Sequence, residues 1–133
     1  MRTLISFVLI ACCTLSAWGA ASPKRIFGAP YPRLAHLARI QGPVRLEATI
    51  SGAGAVDTVK VIAGNALLAP AAVESLKRWV FAPCGEPTCN FEVKFESVLE
   101  TGECPISECP NETEFAWPDT VIIRSKYAKP IIN

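Results

Sequence analysis

Two cysteine pairs bracket one alternating stretch, and their spacing restricts the fold more than any other feature of the chain. Cys84 and Cys89 close "CGEPTC", Cys104 and Cys109 close "CPISEC", and "NFEVKFESVLETGE" lies between the pairs. Phe91, Val93 and Phe95 alternate with polar residues as in a half-buried β-strand. The fifteen extended steps from Cys89 to Cys104 span roughly 50 Å, whereas a disulfide holds its Cα atoms only about 4.4–6.8 Å apart. A straight strand therefore forbids pairing 89 with 104, and the set 84–104 with 89–109 fails for the same reason. The local pairs Cys84–Cys89 and Cys104–Cys109 remain as the expected disulfides. Zinc is the competing use, since C-x4-C lies at the wide end of zinc-type spacing. An oxidising compartment would favour disulfides.

The N-terminus speaks to that compartment. One positive charge in Met1-Arg2-Thr3 is followed by an uncharged run from Leu4 to Ala21, with small residues at Ala17, Gly19, Ala20 and Ala21. This order reads as a secretory signal peptide over residues 1–21. "LIAC" (Leu9 to Cys12) also has the form of a lipoprotein cleavage box, which would leave Cys12 lipidated. An uncleaved anchor is the third reading, with eighteen uncharged residues against the roughly 17–25 that span a bilayer. Cleavage is preferred, and membrane contact is expected only if the leader is retained or Cys12 carries lipid. Loss of the leader removes Cys12 and Cys13 and leaves the four paired cysteines.

Without residues 1–21 the chain carries 12 basic and 12 acidic side chains. A neutral domain argues against nucleic acid as a partner, because that binding needs a basic surface. The charge is uneven. Residues 84–119 hold nine acidic side chains against Lys94 alone, which reads as a solvated acidic face.

Along the chain, residues 22–30 read as a short linker. "YPRLAHLAR" predicts a helix with Leu34, Leu37 and Ala38 inward and Arg33, His36 and Arg39 outward. "VRLEATIS" (44–51) predicts a strand with Val44, Leu46, Ala48 and Ile50 on one face. "GAG" turns it into a second strand, 56–62, with a bulge near Val56. Residues 70–80 predict a helix whose apolar stripe is Ala72, Val73, Leu76, Trp79 and Val80, with Glu74 paired to Arg78. A long strand follows over 90–101, then a further strand in 119–126. The fold class is α+β in two layers, with two helices on one face of a three- to four-stranded, mainly antiparallel sheet. The expected organisation is a leader (1–21), a linker (22–30), one domain (31–101), and a disulfide loop with an extra strand and tail (102–133).

Catalysis is not expected. His36 is the only histidine and reads as a surface residue. No serine sits in a G-x-S-x-G setting, and no phosphate-binding glycine loop occurs. No cofactor or metal is expected.

The stretch from Tyr31 to Pro83 resembles the C-terminal domain of TonB-type energy transducers. The resemblance runs through Tyr31-Pro32-x-x-Ala35, Gly42, Val44, Ile50, Gly54-x-Val56, Val59, Val61, Gly64, Leu67-Leu68, Ala71-Ala72 and Trp79-x-Phe81-x-Pro83. It implies a periplasmic, non-enzymatic module that binds a protein or peptide segment. In such a family an outer-membrane receptor's N-terminal segment adds as a strand beside the last strand of the sheet. The corresponding edge here involves Phe91, Val93 and Phe95, with Val121 and Ile123 on the extra strand. The resemblance also implies a link to transmembrane transport. The nine-residue linker, which reaches roughly 30 Å, and Ala69 in place of an aspartate depart from the family's pattern. If 120–126 lies beside 90–101, it occupies the edge that receptors would use, so the chain either is not a competent transducer or binds a partner only after that strand is displaced. Alternatives are an anchored energy-coupling subunit and an envelope domain that forms a homodimer by strand exchange.

Overall fold

Alternation decides the central hairpin of the computed structural model, which describes residues 21–129. Val44, Leu46, Ala48 and Ile50 are all at most 1% exposed and point to one side of β2 (Gly42–Ser51). The chain turns at 52–55 into β3 (Val56–Ala63), antiparallel to β2, with register shifts where Ile50 meets Val56 and at Arg45/Leu46. The bulge expected at Val56 is present. Gly54 makes the turn feasible. Its φ is +99°, and a Cβ there would overlap the carbonyl of Phe81, so only glycine fits.

Among the described residues, β1 (Pro23–Arg25) and α1 (Arg33–Leu37) precede β2, and α2 (Ala69–Lys77) and β4 (Val80–Phe81) follow β3. Then come β5 (Thr88–Pro105), β6 (Glu112–Ala116) and β7 (Thr120–Lys129). The main sheet has the order β3-β2-β5-β7-β6, and β1 and β4 form a separate two-stranded ribbon. The helices cover one face, α2 against β3 and β2, and α1 against β7. The α+β, two-layer expectation holds, but the sheet has five strands instead of three or four. One of its pairings, β5 with β7, is parallel.

That parallel pairing follows from the route of the chain. β6 runs opposite to β7 and lies on its far side. The loop after β5 therefore crosses about two strand spacings, roughly 10 Å, and leaves a one-strand slot that β7 fills on its way back.

The core centres on Trp79, whose ring centroid lies 5.8–6.3 Å from those of Phe81, Phe91, Phe95 and Phe115. Offset and edge-on aromatic contacts of this kind add to the large apolar area each ring buries. Trp79 also donates from Nε1 to the carbonyl of Phe27 at 3.0 Å, and Ser75 Oγ donates to the same oxygen at 2.6 Å.

Several local expectations need correction. Residues 22–30 are not a free linker: β1 pairs with β4, Ala29 is buried, and the Phe27 carbonyl accepts from Ser75 of α2. Leu34 is 68% exposed and Leu37 38%, while Ala35 and His36 are buried. A five-residue helix is too short for its own periodicity to set its orientation. Instead Tyr31 donates to the carbonyl of Ile40, and the ring of Tyr31 packs on that of His36 at 4.8 Å. α2 ends at Lys77, closed by short bonds from Arg78 to Ser75 and from Trp79 to Leu76. Val80 therefore leaves the helical stripe and is 40% exposed. Glu74 pairs with Lys77, not Arg78, whose guanidinium lies 4.8 Å over the ring of Phe27. The leader, with Cys12, and the last four residues of the tail lie outside the described residues. Among the described residues no helix is long and apolar enough to cross a membrane.

Candidate strand-addition site

β5 is the strand on which the expected binding edge depends, and its two sides are used differently. On one side Thr88–Ser97 pairs antiparallel with β2. On the other, Lys94–Pro105 pairs parallel with β7, beginning where the Lys94 amide donates to the carbonyl of Asp119 at 2.8 Å. Thr88–Val93 has no strand partner on this second side among the described residues. Backbone groups of a strand alternate between its two neighbours. Because the Lys94 amide points toward β7, the amides and carbonyls of Thr88, Asn90 and Glu92 point the same way.

The five side chains expected at the edge divide between the two strands. Val93 and Phe95 are each 1% exposed and face the helices, and Phe91, half-buried, packs against Phe81 at 5.0 Å. Val121 and Ile123 are buried beside Phe95 and Ser97. These side chains form core, and what an added strand would meet is the backbone of β5. From Lys94 onward that backbone is occupied by β7, with β6 outside it. The open part is Thr88–Val93, and where it meets β7 there is a cleft of about 310 Å³ lined by Arg45, Glu92, Val93, Lys94, Asp119 and Thr120. Trp117, in the β6–β7 turn, is 73% exposed.

β7 is also held from beyond the sheet. His36 Nε2 lies 2.6 Å from the carbonyl of Lys126 and 3.4 Å from Ser125 Oγ. Ser125 Oγ in turn donates to the carbonyl of Pro110 at 3.1 Å, tying β7 to the loop before β6. His36 is 3% exposed, so the surface position expected for it is wrong. A five-residue helix could not show in its sequence that one strand, far along the chain, would bury its ring. Burial, and secondarily Tyr127, push the Tyr31 hydroxyl up to about 12.

Both expected disulfides are present, Cys84–Cys89 and Cys104–Cys109, with Cα separations of 6.5 and 5.2 Å. The first clamps the corner between β4 and β5. The second closes the loop between β5 and β6. The ligand-type atoms of His36, Cys104 and Cys109 lie within 4.8 Å of one another. Both sulfurs are bonded to each other, so the trio offers a metal one imidazole, already engaged with Lys126.

The family-type positions are structural. Ala35 is fully buried, Pro32 precedes α1, Gly42 opens β2, Gly64 follows β3 against Val44, and Pro83 leads into the first disulfide loop. The acidic face is a paired face. Arg45 binds Glu92 at 2.6 Å, Lys94 meets Glu96 at 3.6 Å, and Lys129 meets Glu103 at 2.8 Å. Arg124 bridges Glu100 and Glu114. Four cations thus answer five of the nine acids, and exposed pairs of this kind contribute little each.

Compared with known families, residues 28–97 match the model described as "Gram-negative bacterial TonB protein C-terminal". Among solved structures, the chain is similar to the solution NMR structure of the Pseudomonas aeruginosa TonB C-terminal domain. The TM-score is 0.51 and the identity 25%, over 62% of this chain and 89% of that one. No curated protein gives a significant match. The family match ends within β5, so β6, β7 and the second disulfide lie beyond it.

Proposed function

The chain belongs to the TonB C-terminal domain family, and from that premise we propose that it is a periplasmic protein-binding module of the energy-transduction type. Its partner is an extended protein segment, such as the N-terminal segment of an outer-membrane receptor, which adds as a strand to β5. The observation that carries this reading is the open second side of β5 at Thr88–Val93, on the last strand of the family core. Unpaired ladder groups select an extended backbone, and flanking contacts set which side chains are accepted. Nothing in this role requires catalysis.

The test has two arms. Fractionation with intact-mass measurement of the native protein gives its place: a mature protein recovered from periplasm supports the reading, and recovery from cytoplasm overturns it. Titration of an isotopically labelled full chain with receptor N-terminal segment peptides should shift amide signals of Thr88–Val93 first. Absence of any shift across a panel of such peptides would remove the receptor reading.

A further inference from the structure

We propose that the β6–β7 hairpin is a resident stand-in for the partner, and that Thr88–Val93 is the point at which a partner strand docks before displacing it. This rests on the reading of β5 as a strand acceptor and adds the way in which acceptance is controlled. It also names the kind of segment the site takes.

Four observations converge. β7 is the element that extends the sheet beyond the family core, and it lies directly on the side of β5 left free by β2. It runs parallel to β5, the direction a chain segment takes when it fills a slot without a hairpin connection. Its pairing stops at Lys94, leaving Thr88–Val93 open on the same side, with a cleft at the junction. Finally, β6 pairs with β7 and has no other strand neighbour among the described residues. The two can therefore leave β5 as one unit, giving up the His36–Lys126 bond and the Phe115–Trp79 contact and hinged at the loop closed by Cys104–Cys109.

The contacts made by β7 describe the segment that would replace it. The incoming strand runs parallel to β5, with its N-terminal residues on Thr88, Asn90 and Glu92. Two apolar side chains two residues apart then take the places of Val121 and Ile123 in the core. A small residue follows where Ser125 lies against His36 and Pro110. A short segment that begins opposite Lys94 competes with β7 contact for contact. One extended at its N-terminus gains the open stretch as well, and this difference drives displacement.

The experiment uses the disulfide-intact full chain. Native-state hydrogen exchange should show β6 and β7 amides exchanging at least tenfold faster than those of β2 and Thr88–Ser97. Equal rates would mean that β7 is an integral strand and would overturn the proposal. Two synthetic peptides are then titrated: one with the sequence of residues 119–127, and the same peptide preceded by six alternating Val and Thr residues. The longer should bind wild type at least tenfold more tightly, and the V121D/I123D variant should bind the shorter at least tenfold more tightly than wild type does. A folded variant that binds neither peptide would overturn it. If the variant does not fold, exchange and the two peptides on wild type decide. A receptor-segment peptide run alongside separates the two readings. Binding of the β7-type peptides alone sinks the receptor partner and leaves the stand-in, whereas binding of the receptor peptide alone sinks the stand-in.

Discussion

His36 in α1 and Lys126 in β7 are joined across ninety residues by a 2.6 Å contact between the imidazole Nε2 and a backbone carbonyl. A carbonyl can only accept, so Nε2 carries the proton. Removing the ring would leave a buried carbonyl without its donor and a cavity beside Tyr31 and Ser125. Each loss is a known source of destabilisation. His36→Ala is expected to lower stability by about 2 kcal/mol, measured by urea unfolding. It should also raise hydrogen exchange in β7 more than in β3. An unchanged midpoint would show that the contact contributes nothing.

The raised Tyr31 hydroxyl predicts a pH dependence whose sign can be worked out. In the unfolded chain the phenol loses its proton near 10, and in the folded protein burial holds it on until about 12. The neutral form is the one the fold favours. Its contribution is complete below 10 and is lost as pH rises from 10 through 12. The informative comparison is with Tyr31→Phe, which removes this hydroxyl and nothing else. The difference in unfolding midpoint between wild type and Y31F should shrink from pH 9 to pH 11.5. A constant difference would contradict this account.

What could be read from the chain, and what could not, follows from the range of the forces involved. Val44, Leu46, Ala48 and Ile50 were legible because a strand buried on one face repeats every two residues, and the two disulfides because a straight strand keeps its ends apart. The burial of His36 was not legible, since it depends on a strand ninety positions later. β6 escaped notice because it carries no apolar alternation: Glu112, Thr113 and Glu114 are all exposed, and only Phe115 and Ala116 are partly buried. The parallel placement of β7 depends on a loop crossing two strand spacings, a property of the assembled sheet. The open stretch Thr88–Val93 emerges only when the registers of β2 and β7 on β5 are compared.

Gly54 explains why a family-type glycine sits at the hairpin turn. With φ at +99° and the carbonyl of Phe81 against its α-carbon, alanine would meet both backbone strain and a backbone clash. The Phe81 amide also donates to the Gly54 carbonyl at 2.8 Å, so a shift to relieve the clash would pull on the core through Phe81. Gly54→Ala is expected to cost at least about 2 kcal/mol. A loss below about 0.5 kcal/mol in chemical unfolding would show that the turn yields freely.

The second disulfide separates local from global stabilisation. Cys104 and Cys109 are five apart in sequence, and closing so short a loop restricts the unfolded chain by about 2 kcal/mol in the chain-entropy account. The pair Cys84–Cys89 has the same separation, so loop entropy alone predicts equal losses for C84A/C89A and C104A/C109A. The hinge position of the second loop predicts a further difference that entropy does not. C104A/C109A should speed hydrogen exchange across β6 and β7 while leaving β2 and β3 at the rate set by global unfolding, and C84A/C89A should not. If both double variants change exchange in the same pattern, the loop is a staple without a hinge, and β7 is no freer at that end than the strands around it.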